Sequence, residues 1–227
     1  MSLSPPVADL VAAVQRADSA LGLLQATQAL AASAHPDGAA CLVEVLGFNN
    51  PGAAVAAVDG LVAIGEPAVA TILANIDGYN YGARAWAVRA LAGIGDERGL
   101  AVLEDALGQD IGPSVRRAAA RGLGQLRLSG LPRERRHPIA VRCLEALLAG
   151  CGDGEWVVRY AVVVGLEALA PELSFEPVAG SPGLAELRSA LERLSLGAAE
   201  EAPVVQLRAA LALERLASLS PAGDAHG

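Results

Sequence analysis

Apolar residues recur at helical spacing through most of the chain, and the pattern itself repeats. Placing Leu61 over Leu91 also places Val58 on Val88, Ile64 on Ile94 and Gly65 on Gly95, an offset of 30. An offset of 32 carries Leu91 to Leu123, Arg84 to Arg116 and Arg89 to Arg121. An offset of 43 carries Arg116 to Arg159, Gly122 to Gly165 and Leu123 to Leu166, and one of 47 carries Leu166 to Leu213 and Glu167 to Glu214. Leu30, 31 residues before Leu61, marks a degraded first copy. Between these signature helices the spacing predicts second apolar helices over 67–76, 97–108, 138–150 and 183–196. Gly, Pro, Asn and Asp punctuate the boundaries. Gly60, Ala90, Gly122 and Gly165 share one register position, where a neighbouring backbone is expected to approach closely. One helix cannot bury its apolar stripe alone, whereas stacked pairs can. The pattern therefore predicts an all-α fold, an α-solenoid forming a right-handed superhelix. It predicts a single domain of five to six helix pairs over 1–219, with a frayed tail at 220–227. Residues 127–138 and 171–182, which lengthen the later offsets, read as inserted loops.

Within each copy an Asp precedes a Val-Arg pair and an Ala-rich helix: Asp110…Val115-Arg116 and Asp153…Val158-Arg159, both with an Asp-to-Arg spacing of six. This pattern resembles HEAT-type repeats, in which the Asp and Arg stack between neighbours as a ladder. The resemblance implies a structural ladder for Asp110, Arg116, Asp153 and Arg159, and by register for Arg84, in preference to direct ligand contact.

Composition sharpens the picture. Of 227 residues, 48 are Ala and 34 Leu, which favours helix over pleated sheet. The apolar fraction of 53% argues against disorder. All 17 basic residues are Arg, so Schiff-base catalysis by a lysine is excluded. The net charge of −8 argues against clamping of nucleic-acid phosphates. Three cysteines without a CxxC pair suit a reducing, cytoplasmic setting. The longest uncharged stretch, 19–36, carries Gln, Thr and Ser and is too polar to span a membrane, and the N-terminus has no leader pattern. His35, His137 and His226 stand at no metal-ligand spacing, so no metal site is expected.

The chain holds only seven aromatic residues, and five fall in two short segments: Tyr79, Tyr81 and Trp86, then Trp156 and Tyr160. Arginines lie beside them. Arg117 and Arg121 share a helix face, Arg89 is the register equivalent of Arg121, and Tyr160 is that of Arg117. Such a face suits a flat, conjugated, anionic molecule, since rings offer stacking area and guanidinium groups bind carboxylates in bidentate fashion. Two other readings stay open: a solvated basic face, and a protein-interaction surface.

Residues 79–100 (YNYGARAWAVRALAGIGDERGL), 114–124 (SVRRAAARGLG), 155–169 (EWVVRYAVVVGLEAL) and 49–65 (NNPGAAVAAVDGLVAIG) resemble the E/F-type phycobilin lyases of cyanobacteria, most of all their F-type subunits. The resemblance implies a heterodimer with a longer E-type solenoid subunit. It implies attachment of phycocyanobilin, an open-chain tetrapyrrole bound as substrate and not as a permanent cofactor, to a cysteine of the phycocyanin α subunit. The bond is a thioether to the ring A ethylidene, and the pair also transfers or detaches the bilin. A related subfamily that isomerises the bilin carries an adjacent His-Cys motif; here His35 and Cys41 are six apart, which implies attachment without isomerisation. The residue chemistry, read with the resemblance, assigns Arg89, Arg117 and Arg121 to the bilin propionates. It places Tyr79, Asn80, Tyr81, Arg84, Trp86, Trp156 and Tyr160 against the rings or the partner. No catalytic residue is singled out, and Cys41, Cys143 and Cys151 read as buried thiols before adduct carriers. The competing expectation is a non-catalytic HEAT-repeat chaperone or scaffold that binds phycobiliprotein.

Overall fold

The computed structural model describes residues 6–76, 80–173, 183–197 and 200–219. Tyr79 and the expected tail at 220–227 lie outside the described residues. The described elements are helices, and none is long and apolar enough to cross a membrane. They group into two compact units, residues 1–99 and 100–227.

The first unit contains α1 (Val7–Gln15), α2 (Ala20–Ser33), α3 (Ala39–Val45), α4 (Pro51–Ile64), α5 (Glu66–Ala74) and α6 (Tyr81–Ile94). Helices α2, α4 and α6 pack side by side, with α3 and α5 layered behind α4 and α6. Asparagines start α4 and α6. The Asn50 side chain accepts the Ala53 N–H at 3.1 Å and donates to the Ala20 carbonyl at 2.9 Å. Asn80, thirty residues on, accepts the Ala83 N–H at 3.0 Å. Gly60 lies where α4 meets α2: a Cβ there would stand 2.7 Å from the Ala31 Cβ.

The second unit contains α7 (Leu100–Gln109), α8 (Pro113–Gly124), α9 (Arg133–Gly150), α10 (Trp156–Leu169), α11 (Leu184–Ser195) and α12 (Pro203–Leu219). Helices α8, α10 and α12 form one layer; α7, α9 and α11 form the layer behind. The core is aliphatic, with Leu103, Leu123, Leu144, Leu147 and Leu166 all fully buried. The tightest approach is between α8 and α10. A Cβ on Gly165 would stand 2.5 Å from the Ala120 carbonyl oxygen, and one on Gly124 would stand 2.2 Å from the Gly165 carbonyl oxygen. Gly165 stands at the register position it shares with Gly60, and the residue of α8 that meets its backbone is Gly124, two residues beyond Gly122.

One expected loop is half helix. Helix α9 begins at Arg133, inside the stretch 127–138, and runs through Pro138. Pro138 removes a helical N–H, a local cost that normally ends a helix. The first turns persist because Arg136 grips Glu172 through two hydrogen bonds of 2.9 and 2.6 Å.

Candidate functional site

In the second unit, side chains join successive turns before the inner-layer helices. Asp110, Asp153 and Glu200 each accept the backbone N–H two residues on, from Gly112, Glu155 and Ala202, at 2.9, 2.9 and 2.8 Å. Arg116 donates both arms of its fork to the Asp153 carboxylate, at 2.7 and 3.0 Å, and its third nitrogen to the Asp110 carbonyl at 2.9 Å. Arg159 repeats the arrangement on Glu200, at 2.5 and 2.7 Å, and on the Asp153 carbonyl at 2.7 Å. The six-residue link from Asp to Arg therefore runs through the Asp carbonyl, while the Asp153 and Glu200 carboxylates receive the arginine of the previous repeat. Gln206 closes the series, donating to the Glu200 carbonyl at 2.5 Å. Glu200 was missed in the sequence because Glu replaces Asp there. The offset of 47 that carries Leu166 to Leu213 also carries Asp153 to Glu200.

The electrostatics follow this geometry. The Arg159 guanidinium holds the Glu200 carboxyl below the usual glutamate range, against the opposing effect of burial. Burial pushes the Asp153 carboxyl up, but Arg116 and the Glu155 N–H outweigh it and leave its pKa lowered.

These bonds orient the rest of each helix. On α8, Arg116 and Gly124 face α10, Val115, Ala119 and Leu123 are buried, and Arg117 and Arg121 remain exposed. Neither has a hydrogen-bond or ion-pair partner among the described residues. On α10, Trp156 is exposed and Tyr160 half-buried. On α12, Arg208 turns toward Glu167 of α10, while Val204, Leu207 and Leu211 are exposed. The exposed arcs of α8, α10 and α12 point away from the α7, α9 and α11 layer. They therefore share one face, cationic on α8, aromatic on α10 and aliphatic on α12.

In the first unit, Asn80 caps α6, Tyr81 is exposed at its first position, and Arg84 is half-buried on its first turn. The Arg89 guanidinium lies 4.4 Å from the centre of the Trp86 ring, a cation–π contact. A pocket of about 300 Å³ opens beside Trp86, lined by the 46–51 turn together with Asn80 and Gly82. Phe48, which lies outside the two aromatic segments of the sequence, forms part of this wall. Its signal was positional: it precedes Asn50, the register equivalent of Asn80. No group of three or more His, Cys, Asp and Glu side chains among the described residues is placed to hold a metal ion.

Residues 74–166 match the HEAT-repeat family. The chain is 53% identical over 170 residues to phycocyanin alpha phycocyanobilin lyase CpcF of Synechocystis sp., covering 75% of this chain and 79% of the relative. It is 47% identical to the phycobilisome maturation protein of Synechococcus elongatus, over 92% of this chain and 98% of that protein. Among solved structures, the complex of CpcE and CpcF of phycocyanin lyase from Nostoc sp. contains a chain matching with a TM-score of 0.68 and 39% identity, over 78% of this chain and 99% of that one. Identity at this level over most of both partners does not arise from shared helix-pair periodicity alone, and the chain belongs to the E/F-type phycobilin lyase family.

Proposed function

We propose that this chain is the F-type subunit of a heterodimeric lyase. With an E-type solenoid subunit it joins phycocyanobilin to a cysteine of the phycocyanin α subunit, and it also transfers or detaches the bilin. The observation that carries this reading is the 53% identity to a CpcF lyase, supported by the match to a chain solved in the CpcE and CpcF complex.

Attachment adds a thiol across the ring A ethylidene. Sulfur bonds to the exocyclic carbon, and the displaced π pair takes up a proton at the ring carbon. The step needs a thiolate held against an oriented bilin, which is chiefly a task of proximity. This chain's own thiols are poorly suited to supply it. Burial pushes Cys143 up to about 12 and Cys151 up to about 11, and burial with the nearby Glu44 raises Cys41 as well. At pH 7 a thiol of pKa 12 is ionised in only about one molecule in 100,000. The nucleophile is then the acceptor's cysteine. Replacing Cys41 and Cys143 with Ala and Cys151 with Ser should leave the transfer rate within about twofold; a tenfold loss with helical content intact would assign an adduct to this chain.

Arg117 and Arg121, cations of the α8 face without an ion-pair partner among the described residues, suit the two bilin propionates. Trp156 and Tyr160 supply ring surface on the next helix. Arg84 and Tyr81 belong to the corresponding start of α6 in the first unit, where they face bilin or partner. The test is co-expression of this chain with the E-type partner, phycocyanobilin and the apo-phycocyanin α subunit, scored as covalent colour on a denaturing gel. Omitting this chain should abolish correct attachment. Arg117→Ala with Arg121→Ala should lower it about tenfold or more without loss of helicity. Undiminished attachment without this chain would leave only a scaffold role.

A further inference from the structure

The pocket of the first unit has a composition that the repeat does not require. Phe48 is 45% exposed on a turn, at a place where the fold gains little from a large ring. Trp86 lines the same opening of about 300 Å³, at the small end of the range for ligand pockets. Three asparagines line the same space. Two of them are committed to structure. Both ends of the Asn50 amide are used, one on the Ala53 N–H and one on the Ala20 carbonyl. The Asn80 oxygen is used on the Ala83 N–H, which leaves its amino group. Asn49 is exposed and its side-chain amide has no hydrogen-bond partner among the described residues. Arg89, stacked on Trp86, brings a positive charge to the aromatic wall.

We infer that this pocket binds a terminal lactam ring of the open-chain tetrapyrrole, sandwiched between Phe48 and Trp86 and read by the amide of Asn49. The inference rests on the lyase reading above and names the subsite within it. A lactam ring presents its N–H and C=O side by side. A carboxamide presents the complementary acceptor and donor in the same plane, so one free asparagine satisfies both groups. The Asn80 amino group supplies a second donor to the lactam oxygen. Two aromatic walls accept a planar conjugated ring and reject an aliphatic one of similar size. The pocket's volume suits part of the chromophore, so the remainder extends outside it.

The test uses the heterodimer with its E-type partner and phycocyanobilin as the probe, with binding followed by the bilin absorption spectrum and transfer followed on denaturing gels. Phe48→Ala and Asn49→Ala, both at exposed positions, should each weaken bilin binding about tenfold or more and alter the bound spectrum. Phe48→Tyr should bind within about twofold of the parent. If Phe48→Ala and Asn49→Ala bind with unchanged affinity and spectrum while the parent heterodimer still transfers bilin, the pocket is not the subsite and the lyase reading stands. If the parent heterodimer neither binds nor transfers bilin, the lyase reading fails and the subsite fails with it.

Discussion

Replacing Arg159 with alanine is expected to lower stability by about 3 kcal/mol or more, the usual result of stranding one member of a buried ion pair. The Glu200 side chain is fully buried, and its acceptors are used by the Arg159 fork and the Ala202 N–H. Without the fork, one buried carboxylate loses its counter-charge and the Asp153 carbonyl loses a donor. The exposed pair Arg98–Glu66 provides the contrast, since there solvent screens both groups and Arg98→Ala should have a small effect through that pair. Denaturant titration decides the matter. A loss below about 1 kcal/mol for Arg159→Ala would mean that water reaches Glu200 when the arginine is gone. Arg159→Ala combined with Glu200→Gln should recover part of the loss, because a neutral amide is less costly to bury.

The same pair predicts a pH dependence of definite sign. Glu200 and Asp153 have folded-state values held below their ordinary ones of 4.5 and 3.8. Their contribution is fully present above those ordinary values and is lost as pH falls through the lowered ones. The parent protein should therefore lose stability on acidification below about pH 4.5. Arg159→Ala should show a shallower decline, because the stabilised carboxylate has already been lost. An equal decline in both proteins would place the acid-sensitive groups elsewhere.

The second large effect is steric. Gly165→Ala should destabilise by about 3 kcal/mol, the upper end of the usual range for overpacking. Helix propensity opposes this, since alanine in place of a helical glycine gains about 1 kcal/mol. Sterics prevail because the atom in the way is the Ala120 carbonyl oxygen, only 2.5 Å from the new Cβ, and backbone cannot swing aside as a side chain would. Gly124→Ala meets the Gly165 carbonyl at 2.2 Å and should cost at least as much. Gly154→Ala, with nothing within 4 Å, is the control and should fall within about 0.5 kcal/mol of the parent. A Gly165→Ala protein unfolding at the parent's denaturant midpoint would show that α8 and α10 part freely. Any parting moves Arg117 and Arg121 relative to Tyr160, so residual bilin transfer in the variant also reads how closely that face is held.

Much of this was legible because a repeated pattern averages over local noise. The inner-layer helices fell within their register, and the four residues Asp110, Arg116, Asp153 and Arg159 stood out by equal spacing. What the register did not reveal was which atoms meet. Gly122 and Gly165 align in sequence, but packing depends on how one helix is displaced along its neighbour, and that displacement brings Gly124 into contact. Residues 133–137 read as loop because they fall in the stretch that lengthens the offset, whereas the Arg136–Glu172 pair that holds these turns is 36 residues apart in sequence. Phe48 escaped attention for a related reason. Its importance comes from lining one pocket with Trp86 and Asn80, which the register link from Asn50 to Asn80 does not by itself reveal. Arg89 was recognised as a cation, but its stacking on Trp86 was visible only in three dimensions.

Gln206 gives the ion-pair series a direction and a terminus. It occupies the place of Arg116 and Arg159 and keeps their bond to the carbonyl six residues back, but it has no charge to offer onward. Each arginine is an open bond that calls for a carboxylate in the turn ahead, whereas the glutamine is a closed one. Stacking another helix pair beyond α12 by the same chemistry would require Gln206→Arg together with a new acidic turn. At α12 the ion-pair series thus stops at a single neutral side chain.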